Sequence, residues 1–263
     1  LVSTPHGFEN AKDLKLQAYM RLGCWTLKHF DRVIPLSEAL YQDMHQIKVP
    51  ENKISLIQNG VDITEIEEAR NNTKNRFFNE DNVLRIGYVG QLASRKNIGA
   101  MIRAFERLTW DLDNVQLILV GEGPKRQELE DLARSLGCAN KVQFLGYRSD
   151  RLNILKELDL FCMTSSLEGI PRCMMEAMAL GVPVAAFNIA GVDSLIIPGE
   201  TGLLANYDDI QGLRKCFEKI LTNPDLSAEL SRKGREHIEN HFSSRNMALE
   251  YENLYEQLTA SQS

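Results

Sequence analysis

The apolar residues of this chain change their period several times, and the changes mark out its elements. Short apolar runs occur at 83–90, 115–120, 142–145, 159–164 and 183–187, with a shorter one near 202–204. Between them, at 98–110, 124–136, 150–157 and 171–180, the apolar positions recur at helical spacing. Short continuous apolar runs predict strands buried on both faces. Their alternation with helices predicts a parallel α/β sheet wound on both sides. Residues 208–221, 225–240 and 245–259 read as three further helices with no strand between, Pro224 separating the first two. Met247, Leu249, Tyr251, Leu254 and Leu258 give the last of these a face to bury.

The first part of the chain is less regular. Strand-like runs at 1–4, 32–36 and 54–58 flank a helical pattern over 11–30, in which Leu14, Ala18, Leu22, Trp25 and Phe30 share spacing. Ser37, followed by Glu38, predicts the N-cap of another helix. Asn59-Gly60 predicts a turn. Residues 64–82 are polar and read as a linker between domains. The expected organisation is a unit over 1–62, a linker over 63–82, a second unit over 83–242, and a last helix over 243–263 that crosses back to the first. Leu1-Val2-Ser3-Thr4 already reads as a strand, so the sequence is expected to begin in mid-domain.

With 263 residues, 43% of them hydrophobic, the chain is long enough for two packed cores. Its net charge is −6 with both signs interspersed, and no basic stripe marks a nucleic-acid surface. Five cysteines, an odd number, stand mostly in apolar runs without Cys-x-x-Cys spacing, as reduced core thiols do. No apolar run approaches the ~20 residues of a membrane-spanning helix, and no signal peptide is legible.

In a doubly wound sheet, ligands bind beyond the carboxyl ends of the strands. The candidate chemistry lies in those turns. Glu168-Gly169-Ile170-Pro171-Arg172-Cys173-Met174-Met175-Glu176 carries two carboxylates eight positions apart across a Gly-x-Pro turn. Pro171 suits the first helical position. The helix it opens offers free N–H groups and a positive dipole end to an anion. Glu168 on the loop and Glu176 about two turns along can each accept hydroxyls. Glu176 sits among Met174, Met175, Ala177 and Met178, so it is expected to be buried and to need partners. The pocket so described fits a nucleotide diphosphate sugar. Arg95-Lys96 follows the 83–90 strand and precedes a helix, with an exposed basic loop as its plainer alternative. Gly121-Glu122-Gly123-Pro124 has Arg126 where a third glycine of a dinucleotide loop would stand, which argues against a nicotinamide or flavin site. His237 and His241 lie one helical turn apart. Two ligands do not close a zinc site, so they read as an exposed helix face.

The Glu-x7-Glu segment resembles that of retaining glycosyltransferases of the GT-B fold, especially glycosyltransferase family 4. So do, in the family's order, Ser3-Thr4-Pro5-His6-Gly7, Asp31-Arg32-Val33-Ile34-Pro35-Leu36-Ser37, Gln58-Asn59-Gly60-Val61-Asp62, Tyr88-Val89-Gly90-Gln91-Leu92, Arg95-Lys96-Asn97, Val120-Gly121-Glu122-Gly123-Pro124 and Phe144-Leu145-Gly146. The resemblance implies an α/β fold of two Rossmann-like domains facing across a cleft. Residues 1–62 would be the later part of an incomplete acceptor-side domain, and 83–242 the donor domain. It implies retaining transfer of a hexosyl group from a nucleotide diphosphate sugar to a glycan or lipid-linked acceptor, as in bacterial surface polysaccharide assembly. Attack would be on the front face, with a β-phosphate oxygen taking the acceptor proton.

By the same resemblance His6, Lys96 and Glu168 stand at the reacting centre. Gln91, Arg95, Lys96, Gly146, Tyr147, Glu168, Gly169, Ile170, Pro171, Arg172 and Glu176 hold the donor. Lys96 would neutralise the diphosphate, Glu168 bind sugar hydroxyls and Glu176 the ribose. Gln91 departs from the arginine usual at its position, and Arg95 compensates. Cofactors are expected to be none, with no obligate metal. The location implied is cytoplasmic, with peripheral contact at the inner membrane face left open. A nucleotide-sugar-binding module or split subunit without its own transferase activity is the alternative. A phosphorylase would need pyridoxal phosphate, for which no lysine environment stands out, and an epimerase lacks the Glu-x7-Glu arrangement. An incomplete acceptor domain implies that these residues alone bind nucleotide sugar weakly and need a further N-terminal segment or partner subunit for turnover.

Overall fold

A computed structural model describes residues 1–5, 22–72, 76–80 and 82–260. The elements in chain order are β1 (Val2–Ser3), α1 (22–27), β2 (Arg32–Val33), α2 (Glu38–Gln46), α3 (Ile63–Asn71), β3 (Leu84–Val89), α4 (Ile98–Leu108), β4 (Val115–Val120), α5 (Arg126–Ser135), β5 (Val142–Gly146) and α6 (Arg151–Leu155). There follow β6 (Leu160–Met163), α7 (Arg172–Ala179), β7 (Val184–Asn188), β8 (Leu203–Asn206), α8 (Ile210–Thr222), α9 (Pro224–His241) and α10 (Ser244–Ala260).

Strands β3 to β8 form one parallel sheet in the order β5-β4-β3-β6-β7-β8. Successive side chains on a strand face opposite ways, so the apolar runs feed two cores. Ile118, Val120, Phe161 and Met163 join α7 on one face, through Met174, Met175 and Met178. Leu117, Leu119, Leu160 and Cys162 join α4 and α8 on the other, through Ile102, Phe105 and Phe217. Numbered within this sheet, the strand order is 3-2-1-4-5-6, and it reverses between β3 and β6. A doubly wound sheet leaves its ligand crevice at that reversal, beyond the carboxyl ends of the two strands.

The N-terminal elements form a small separate parallel pair, β1 with β2. The run at 54–58 is not a strand. Ile54 makes an isolated bridge to Val33, and the ladder stops there because Pro35 has no N–H to continue it. Ser37 caps α2, its hydroxyl accepting from the Leu40 N–H at 3.3 Å. Of the helix expected over 11–30, only 22–27 lies among the described helical residues. The polar stretch expected as a linker begins as a helix. Asp62 accepts from the N–H groups of Thr64 and Glu65 and starts α3, whose Ile66 is buried. Helix α10 lies against the N-terminal elements. Leu254 packs with Ile34 and Ile57, and Val2, Met247, Tyr251 and Leu258 surround them, whereas Leu249 is exposed. The chain is pinned where it returns, by Val61 N–H to Phe242 O at 2.9 Å and Ser244 N–H to Val61 O at 2.8 Å.

Two glycine turns meet at the carboxyl end of the sheet. Gly121 has φ +134°, and a Cβ there would stand 1.9 Å from the Gly90 carbonyl oxygen. Neither the backbone angle nor the space admits a side chain. Gly121→Ala is therefore expected to destabilise the fold by about 2 kcal/mol or more. A urea midpoint equal to that of the unsubstituted protein would contradict this packing.

Candidate functional site

The turn after β3 and the turn after β6 are clasped together at the sheet reversal. The Arg95 carbonyl accepts from the Ser166 N–H at 2.8 Å and from the Ser166 hydroxyl at 3.1 Å. The Lys96 carbonyl accepts from the buried Thr164 hydroxyl at 3.0 Å. Their backbone thus fixed, Arg95 and Lys96 direct their side chains to Glu168. Lys96 donates to Glu168 Oε1, and Arg95 Nη1 lies 3.7 Å from Oε2. The Glu168 side chain is 9% exposed and Lys96 is buried. Glu168 and Lys96 are thus largely withdrawn from solvent, whereas the Arg95 side chain is exposed, as the basic-loop reading has it.

The backbone of the acidic turn is buttressed from the next crossover. Gly191 has φ +86°, and a Cβ on it would meet the carbonyl oxygens of Gly169 at 2.0 Å and Glu168 at 2.5 Å. Pro171 stands at the N-cap, one position earlier than its ring geometry suggested, and its carbonyl accepts from Met174 and Met175. The N–H groups of Arg172 and Cys173, at the start of α7, meet no acceptor among the described residues. The Cys173 thiol, raised to about 12 by burial, feels the charges of Lys96, Glu168 and Glu176, so the three share one locality. Burial also raises the Tyr88 hydroxyl well above its ordinary value.

Glu176 is buried, with a side chain 3% exposed, and it has the partners such an acid requires. Arg151 binds both its oxygens, Nη2 to Oε1 at 2.7 Å and Nε to Oε2 at 2.9 Å. Arg172 Nε adds a bond to Oε1 at 2.9 Å. Glu65, on α3, lies 3.9 Å from Arg172 Nη2. Sequence reasoning missed Arg151. It stands 25 positions before its partner, and no spacing signals a contact made through tertiary packing. Thr164, Ser166 and Gly191 were missed for the same reason.

Gly146 turns with φ +69° and accepts from Gly121 N–H at 2.7 Å. Tyr147 beside it is exposed. Gln91 is exposed, and its carbonyl accepts from the Tyr88 hydroxyl at 3.2 Å. Ile170 is buried under the acidic turn. His6 lies outside the described residues. His237 and His241 lie on α9 with ring centroids 5.1 Å apart; His241 is exposed as expected, but His237 is half-buried because it packs beside Phe242. A cavity of about 690 Å³ between α4, α5 and the loop before α8 is lined by Ser94, Asn97 and Arg103, and by none of Lys96, Glu168 and Glu176.

With this geometry in place, comparison decides the family. The model described as glycosyl transferases group 1 matches residues 69–237, which span α6, both turns of the sheet reversal and α7. The chain belongs to the group 1 glycosyl transferases. The model described as glycosyltransferase family 4 matches residues 1–65. Among curated relatives, N-acetyl-alpha-D-glucosaminyl L-malate synthase of Bacillus anthracis is 25% identical over 260 residues, 97% of this chain and 67% of that one. The capsular polysaccharide biosynthesis glycosyltransferase CapM of Staphylococcus aureus is 26% identical over 231 residues, 85% of this chain and 60% of that one. This group 1 chain thus spans roughly two thirds or less of the relatives it matches. Among solved structures, Anabaena HepE in complex with UDP and glucose superposes with a TM-score of 0.82 at 23% identity, covering 98% of this chain and 71% of that one. The α/β architecture is that of the GT-B glycosyltransferases, as the motif order led us to expect. Among the described residues no helix is long and apolar enough to cross a membrane.

The Lys96–Glu168 pair is nearly dry, so each charge depends on the other. Removing one member of a buried pair leaves an uncompensated charge and costs about 3 kcal/mol, whereas neutralising both costs less. Lys96→Met and Glu168→Gln should each lower the denaturation midpoint, and the double substitution should recover most of the loss. Additive losses in a double-mutant cycle would show that the two do not interact.

Proposed function

We propose that the crevice at the sheet reversal binds a nucleotide diphosphate sugar and that the protein transfers the hexosyl group with retention to a glycan or lipid-linked acceptor. The reading rests on one observation. Arg95 and Lys96 meet Glu168 at the sheet reversal, and the helix that follows, α7, opens with two N–H groups that have no described acceptor and carries the buried Glu176. An anion with hydroxyl-bearing groups on both sides matches that set. Lys96 has three N–H donors and uses one on Glu168. The others, with Arg95 and the start of α7, face a diphosphate. Glu168 accepts hydroxyls of the sugar, and Glu176 those of the ribose. Gly146 and Tyr147 border the base.

In the reaction proposed, the bond from the anomeric carbon to the terminal phosphate oxygen breaks, and its electron pair goes to that oxygen. The acceptor oxygen bonds to the same face of the carbon, and its proton passes to a phosphate oxygen. Negative charge grows on the diphosphate as the bond breaks. A cation fixed beforehand in a site of low dielectric stabilises that charge more than it stabilises the ground state. Two cations and a helix N-terminus fill the role that a divalent metal would otherwise take, so no metal is required.

Calorimetry with UDP and UDP-glucose tests the division of labour, with other nucleotides as controls. A lost hydrogen bond to a buried charged group costs about 1–3 kcal/mol, or roughly five- to 150-fold in affinity. Glu176→Gln should weaken the free diphosphate and the sugar donor alike. Glu168→Gln should weaken the sugar donor while leaving the free diphosphate within about twofold, on the same scale. Identical effects of both changes on both ligands would refute the assignment. A companion titration in EDTA should give unchanged donor affinity, and a strict need for Mg²⁺ or Mn²⁺ would mean that the phosphates are held another way.

A further inference from the structure

A carboxylate offers about four lone-pair sites. On Glu176 three are taken: Oε1 accepts from Arg151 and Arg172, and Oε2 accepts from Arg151. One site is left, on Oε2. A vicinal diol brings two hydroxyl donors. For Glu176 to accept both, one arginine contact must open.

The two arginines are not equivalent. Arg151 binds through two parallel N–H bonds, the geometry that fixes a carboxylate most firmly, and its side chain is 28% exposed. Arg172 contributes a single bond and its side chain is 62% exposed. It also has an alternative acceptor at hand, the Glu65 carboxylate on α3, 3.9 Å from its Nη2. Moving Arg172 wholly to Glu65 gives up one hydrogen bond to a buried carboxylate, which an incoming diol hydroxyl replaces, and keeps an exposed ion pair that solvent screens. Opening the Arg151 contact would instead strip a buried carboxylate of its only forked partner.

We propose that Arg151 is the fixed positioning residue of Glu176 and Arg172 a displaceable one. Glu176 accepts both hydroxyls of a ribose-like diol when Arg172 has swung to Glu65. This rests on the donor-site reading for the identity of the ligand. It adds a rule for which nucleotides bind well, and it ties an occupied site to α3, the helix that leads out of the N-terminal elements. The two arginines on one carboxylate then have opposite effects. Arg151 supports diol binding, and Arg172 competes with it.

The test measures affinities of ribonucleoside diphosphates, UDP first, against their 2′,3′-dideoxy counterparts. Arg172→Ala should tighten the ribo form by about threefold, the scale of a screened surface pair, and leave the dideoxy form unchanged. Glu65→Gln should weaken the ribo form to a similar extent by removing the alternative acceptor. Arg151→Met should cut the ribo-over-dideoxy preference by about tenfold or more, with Arg151→Lys intermediate, since a lysine cannot bind both oxygens at once. A general loss of structure would weaken both ligands together and leave their ratio intact. Should Arg151→Met fail to fold, Arg172→Ala and Glu65→Gln, both at exposed side chains, still decide the matter. Weaker ribo binding in Arg172→Ala, or an unchanged ratio in Arg151→Met, would overturn the proposal while leaving the donor site standing. Absence of binding by any ribonucleoside diphosphate to the unsubstituted protein would overturn both.

Discussion

The ion pair between Lys96 and Glu168 is the constraint around which the site is built. Two charges with so little solvent contact recover little of their desolvation cost unless their geometry is held and their other polar atoms are satisfied. The structure supplies that support through the backbone. Ser166 and Thr164 hold the carbonyls of Arg95 and Lys96, and Gly191 lets the next crossover close on the carbonyls of Glu168 and Gly169. The Ser166 and Thr164 contacts exist because the strand order reverses between β3 and β6, which brings the turns after the two strands side by side, and the Gly191 contact because β7 lies next to β6. The parallel sheet with its two cores therefore sets the separation between cation and carboxylate.

A buried pair of this kind is a weak contributor to stability and a good device for pre-organisation. It keeps the lysine aimed before any anion arrives. The second carboxylate follows the same logic with more partners. Glu176 projects from a helix whose neighbouring side chains enter the core, and the forked contact from Arg151 and the single bond from Arg172 give the buried carboxyl group its partners. Glu65 brings α3 to the edge of this network, so the segment that separates the N-terminal elements from the sheet takes part in the electrostatics of the site.

Much of this was legible in the chain. The apolar runs located all six strands of the main sheet to within a few residues, because strands buried on both faces leave continuous apolar signals. Glu168 and Lys96 stood out in strand-to-helix turns, and Glu176 on the helix that follows the first of them. What stayed hidden was non-local. Arg151 looks like any surface arginine until α6 packs beside α7. Thr164, Ser166 and Gly191 act through backbone contacts that no spacing encodes. The start of the presumed linker is helical because one aspartate caps it, a local device outweighed by the polar composition around it. The 54–58 run failed as a strand because the missing N–H of Pro35 lies on its partner, where a reading of the run alone does not look. Leu249 marks the limit of periodicity, which counts apolar residues without knowing which face meets the core.

The most direct measurement is a crystal structure of the protein with UDP-glucose bound. The diphosphate should lie within hydrogen-bond distance of Lys96 and of the Arg172 and Cys173 N–H groups. The sugar hydroxyls should meet Glu168, and the ribose hydroxyls Glu176. A nucleotide found instead in the cavity between α4 and α5, with the Lys96–Glu168 crevice empty, would contradict the account.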